Sequence, residues 1–151
     1  MIEIDYKDRS VLNALQRLDD RLNNLTPAMR DIAGVLTDAT ERAFQDEADP
    51  ATGTPWAPLT DATVAMRGGD AHPILQRSGQ LAASVTGDWG ADHAAAGTNQ
   101  VYAAMQQLGG TTAATSMIPG KDIPARPFLG IGDEDKDEIL DIVRSYLDPT
   151  A

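Results

Sequence analysis

Asp133, Asp135 and Asp137 in the run "DEDKDE" stand two apart, like the first, third and fifth ligands of a calcium loop. The pattern then fails. Glu138 occupies the place of the sharp-turn glycine, and Arg144 stands where the closing bidentate glutamate belongs. Acids in the first turn of a helix explain the run more simply, because they complement its positive end. His72 and His93 are the only histidines, and neither belongs to a close-spaced ligand pattern. Ser78 in "RSGQ" is not a nucleophile elbow, and two lone histidines make a Ser-His-Asp arrangement unusual. "GTNQ" and "RGGD" hold too few glycines to cradle phosphate. With no cysteine, thiolate catalysis, disulfides and cysteine-based zinc sites are excluded. The reading is of a non-enzyme with no catalytic residues, metal ligands or cofactor.

Elements that could position side chains come from periodicity. "IEIDY" alternates Ile2, Ile4 and Tyr6 with acids, as a short strand with one buried face does. After Ser10 as N-cap, Val11, Leu15, Leu18, Leu22 and Leu25 line one stripe of a helix over 11–25. Thr26 and Pro27 read as N-cap and first position of a second helix over 27–48, striped by Met29, Ile32, Leu36, Ala39 and Ala43. Either these helices form a hairpin on their own core, or part of the stripe faces another subunit.

Residues 49–73 carry four prolines and three glycines, so a long, mobile loop is expected, with Trp56 anchoring it to a groove or a neighbour. Ser78 would cap a short turn carrying Leu81. A strand through Val85 and Trp89 is expected to pair with "ADHAAAGTN", because Gly90 and Gly97 leave that alanine run too short for a helix. "VYAAMQQLGG" reads as a short helix with Tyr102, Met105 and Leu108 on one side, ended by Gly109 and Gly110. A mobile loop over 111–120 and an extended "PARPFLGI" follow. Asp133 would cap a last helix over about 133–147, with Ile139, Ile142, Val143, Tyr146 and Leu147 as its apolar face and Pro149 ending it. The fold class is α+β: an N-terminal helical hairpin and a C-terminal helix packed on a small, mainly antiparallel sheet, in one domain spanning 1–151.

The 151 residues are 42% hydrophobic and 23% charged, enough for one core, with aromatics at only 5%. Lys+Arg 12 against Asp+Glu 23 leaves a formal net charge of −11. Such a field repels nucleic acid and anionic membrane, so neither is an expected partner. The N-terminus lacks the basic flank and apolar stretch of a signal peptide, and no apolar run is long enough to span a bilayer, so a cytosolic start is expected.

Four segments taken together are distinctive: "GTPWAPL", "ILQRSGQLAASV", "VYAAMQQLGG" and "IPARPFLGI" before an acid-capped helix. In them the chain resembles the phage virion morphogenesis, or tail completion, proteins of Mu-like contractile-tailed phages and prophages. The residues carrying the resemblance are Trp56, Pro58 and Leu59; Leu75, Ser78, Gly79 and Leu81; Tyr102, Ala103, Gly109 and Gly110; and Arg126, Pro127, Phe128, Leu129 and Gly130. Many relatives carry histidine where Gln106 precedes Gln107, which removes any case for a functional histidine there.

The resemblance implies a non-enzymatic role late in assembly, finishing the tail or preparing the head-to-tail joint, in the virion and beforehand in the host bacterial cytoplasm. It implies a homo-oligomeric ring, six subunits by analogy, with other tail or connector proteins as partners. Arg126 is placed in a charge-assisted bond fixing its segment, or in a subunit contact. The competing reading is an acidic DNA mimic or inhibitor, which needs carboxylates spaced like phosphates along one face. The acids here are scattered and the motif loops apolar.

Overall fold

The computed structural model describes residues 9–148. The strand expected at "IEIDY" and the stop at Pro149 lie outside them. Six helices and two β-ribbons follow in order: α1 Arg9–Leu22, α2 Thr26–Asp46, α3 Asp61–Met66, α4 Gln80–Ala83, β1 Thr86–Trp89, β2 Ala94–Gly97, α5 Ala103–Leu108, β3 Gly110–Thr111, β4 Asp122–Ile123 and α6 Asp133–Leu147. The α+β class stands, with both ribbons antiparallel.

The organiser is α2. Its apolar positions recur at helical spacing, and Ile32, Val35, Ala39, Ala43 and Phe44 are buried along one face. That face receives α6 on one side and the β1–β2 ribbon on the other. The ribbon pairs Thr86 with Gly97 and Trp89 with Ala94, so the alanine run is a strand as expected. Gly87 faces α2: a Cβ there would come into ordinary van der Waals contact with Thr37 and Ala33, at 3.4 and 3.5 Å.

Four expectations need correction. First, α1 buries none of its residues; Val11, Leu12, Leu15 and Leu22 stay 45% or more exposed. It leans on α6, where Arg21 donates to the carbonyl oxygens of Tyr146, at 2.9 Å, and Asp148, and Tyr146 Oη donates to that of Asn24. Its own core contribution is therefore small, although its periodicity is real.

Second, the helix caps sit one residue from their expected places. Leu25 precedes α2 without a side-chain cap, leaving Thr26 inside the helix, and Gly79 rather than Ser78 precedes α4. Gly132 rather than Asp133 precedes α6, and its amide donates to Asp135 Oδ2 at 2.7 Å. Asp135 also pairs with Arg42 of α2 and is 5% exposed, so one acid of the run does more than complement a helix end.

Third, the 49–73 segment is not devoid of regular structure. Thr60 caps α3 by accepting from the Thr63 amide, and Ala48 bridges Pro55. Fourth, the expected apolar side of α5 faces outward: Tyr102 and Leu108 are exposed, while Ala103 turns into the core.

Candidate functional site

The motif residues converge. Phe44, Trp56, Ile74, Leu81, Ala103 and Phe128 form one buried cluster, with Leu59, Leu75, Val85 and Leu129 packed around it. Phe44 of α2 is its centre: the Trp56 ring meets it edge-on at 5.6 Å between centroids, and the Phe128 ring lies tilted at 5.4 Å. Phe128 is fully buried.

Two loops are tied to each other across this cluster. Trp56 Nε1 donates to the carbonyl of Pro127 at 2.6 Å. In return, Arg126 donates from Nε to the Ala57 carbonyl at 2.7 Å and from Nη2 to the Pro58 carbonyl at 2.9 Å. Arg126 is 6% exposed and has no carboxylate beside it among the described residues; burial lowers its pKa from the ordinary value. Carbonyl dipoles therefore carry a desolvated charge, and the planar fork is what lets one side chain reach both. Proline content explains the arrangement, since Pro55, Pro58, Pro124 and Pro127 keep both segments extended, leaving their carbonyls without local partners.

A third segment completes the site. Gln107, in the last turn of α5, accepts at Oε1 from the amides of Phe128 and Leu129, both at 3.0 Å, and donates from Nε2 to the Leu129 carbonyl at 2.9 Å. The Arg126 amide reaches the Gln106 carbonyl at 2.7 Å. Gly109 makes this closeness possible: it has φ +69°, and a Cβ there would sit 2.7 Å from Ala125 N and 2.8 Å from Ile123 O. Gly110, φ +145°, turns the chain into β3. A fourth strut is Gln76, which donates to the Phe44 carbonyl at 2.8 Å. Leu75 beside it holds a left-handed backbone, φ +60°, as it packs on the cluster, and Gly79, φ +69°, makes the turn into Leu81.

The structure thus brings Trp56, Leu59, Leu75, Leu81, Phe128 and Leu129 together in or against one cluster, with Pro58, Gly109, Arg126 and Pro127 bonding or closing its loops. Tyr102 stays at the surface and Gly79 and Gly110 act through backbone turns. Sequence reading missed Gln107, Gln76 and Phe44 as site residues, since no local pattern marks them. No nucleophile and base converge in the cluster. Among the described residues no group of three His, Cys, Asp or Glu could hold a metal ion, and no helix is long and apolar enough to cross a membrane. The arrangement holds backbone in place.

Known proteins are similar to this chain over most of its length. The putative capsid assembly protein G of Escherichia phage Mu is 36% identical over 146 residues, covering 91% of this chain and 92% of that protein. The Mu-like prophage FluMu G protein 2 of Haemophilus influenzae is 33% identical over 147 residues, covering 97% and 96%. The FluMu G protein 1 of the same organism is 36% identical over 122 residues, covering 78% and 76%. No solved structure matches. The sequence pattern of the phage virion morphogenesis family matches residues 6–148, the stretch that holds all the struts described above. The chain belongs to the phage virion morphogenesis family and is a phage assembly protein.

Proposed function

We propose that the chain is a structural, non-enzymatic subunit that completes the phage tail and joins it to the head. It works as a homo-oligomeric ring, six subunits in the expected arrangement, between other tail or connector proteins. It acts in the virion after being made in the host cytoplasm. The supporting observation is how its surface divides. Most motif side chains turn inward to hold loops, while Tyr102, the α1 stripe and Val101, Leu108 and Met117, the last three 76% or more exposed, turn outward. A subunit whose inward side chains give rigidity and whose remaining apolar groups face out is suited to contacts with neighbours. The net charge of −11 supports a ring whose lumen is negative, past which DNA slides without being held.

A phage or prophage lacking the gene tests the reading, with particles viewed by electron microscopy. Complete heads and complete tails that fail to join are expected. Normal infectious yield would overturn it, and absent heads would move the role to capsid building, the task in the printed name of the Mu relative. Purified protein should leave duplex DNA unbound at physiological salt. Tight, salt-sensitive binding would favour the inhibitor reading instead.

A further inference from the structure

Cations are scarce in this chain, and most are spoken for. Beyond α1, the described ones are ion-paired to acids, as Arg30, Arg42, Lys136 and Arg144 are, or buried, as Arg126 is. Arg67, Arg77 and Lys121 remain without an acid, and the first two share one cavity of about 360 Å³. Met66, 69% exposed, and Pro73 give it an apolar rim. Asp70 also lines it, and His72 there is already engaged by Glu47.

A groove of opposite character lies between α2 and α6. Its floor is apolar, from Ala28, Ile142 and Tyr146, and its α6 wall carries Glu134, Asp137 and Glu138, none with a cation partner among the described residues. The two sites cannot meet within one chain. Glu47, at the end of α2, binds His72 and the Ile74 amide and so fixes the cavity there. Asp31 lines the groove near the start of α2, about 24 Å away by helical rise.

We propose that the Arg67–Arg77 cavity of one subunit receives the acidic α6 wall of a second copy. The exposed Met66 then meets the apolar floor of the neighbour's groove. Two unlike patches at opposite ends of one helix make a head-to-tail contact, which closes into a ring when the rotation allows. The contact rests on the ring reading above and names the surfaces it uses. Because its charges lie at the rim, it weakens as salt rises.

The absence of cysteine allows a direct test. An Arg77→Cys protein mixed with an Asp137→Cys protein under mild oxidation should give disulfide-linked dimers far more readily than either alone, and less at raised salt. Neither side chain makes a described contact, so both variants should fold as the parent does. Arg77→Glu should weaken association about tenfold or more, and adding Asp137→Arg should restore it. Cross-linking in the mixture no higher than in the separate variants, or association indifferent to Arg77→Glu, would overturn the contact. If the parent still assembles in that case, the ring stands without it. A parent that stays monomeric in solution and in particles, with no cross-link, removes both.

Discussion

Gln107 treats Leu129 as a strand would treat its neighbour: Oε1 accepts from the Leu129 amide at 3.0 Å and Nε2 donates to the Leu129 carbonyl at 2.9 Å. A side-chain amide has the same donor and acceptor as a peptide group, so one residue supplies the pairing that the proline-stiffened segment cannot obtain from a sheet. The same Oε1 also takes the Phe128 amide.

Gln107→Leu keeps most of the volume and removes all three bonds. Unpaired, partly buried backbone groups cost ~1–3 kcal/mol each, less where water enters, so a loss of about 2–4 kcal/mol is expected in urea unfolding. A midpoint equal to the parent's would show that water replaces the amide fully.

Phe128→Ala deletes the one large side chain that is wholly buried against Phe44. The expected cost is about 3–5 kcal/mol, read as a lower thermal midpoint. An unchanged midpoint would mean that the ring does not pack in the core.

Gly109→Ala meets two obstacles, a positive φ and backbone atoms at 2.7 and 2.8 Å that cannot swing aside. The conformational term alone is about 1 kcal/mol, and the clash adds to it. Gly53, with a positive φ but open space around it, is the control: Gly53→Ala should cost visibly less. Equal effects would mean that α5 and the 123–125 segment can move apart.

His93 lies at the β1–β2 turn, where its hydrogen bond to Asp92, and then that to Asp88, raise its pKa above the ordinary 6.5. A group with a raised folded pKa stabilises the fold below the unfolded value and loses that contribution as pH rises through the folded one. The imidazole titration followed by NMR should have its midpoint above 6.5 and return toward that value in Asp92→Asn. A midpoint at or below 6.5 in the parent would contradict the geometry.

Limited proteolysis of the free protein should cut first in 111–120, whose Met117 is 99% exposed, and in 67–72. Residues 55–58 should resist, because Trp56 and Arg126 fasten them. Early cleavage at 55–58 would show that these bonds open readily.

Periodicity made the long elements legible, since α2 buries an apolar face that repeats every three or four residues, and Ile139, Ile142, Val143, Tyr146 and Leu147 at the same spacing on α6 are half-buried. It misjudged short ones. α3 was hidden by surrounding prolines and glycines, because counting breakers over 25 residues averages away a six-residue helix with a good cap. In α5 the larger side chains drew attention outward, whereas close approach to the core selected the small Ala103. Among the site residues, aromatic and proline positions were conspicuous. Gln107, Gln76 and the Arg42–Asp135 pair were not, because their partners lie far along the chain and no local pattern announces a long-range bond.

The cover over Phe44 comes from Phe128, far downstream, and is pinned by Pro127 and Arg126. Trp56, Ile74 and Leu81 join the cluster as they are made, but Phe128 comes last, so a nascent or truncated chain without the 126–129 segment leaves one side of Phe44 uncovered, apolar surface of the kind that chaperones and proteases engage. Only a chain translated past Leu129 closes this cluster, so a truncation near the C-terminus is felt at the core and not merely at the missing end.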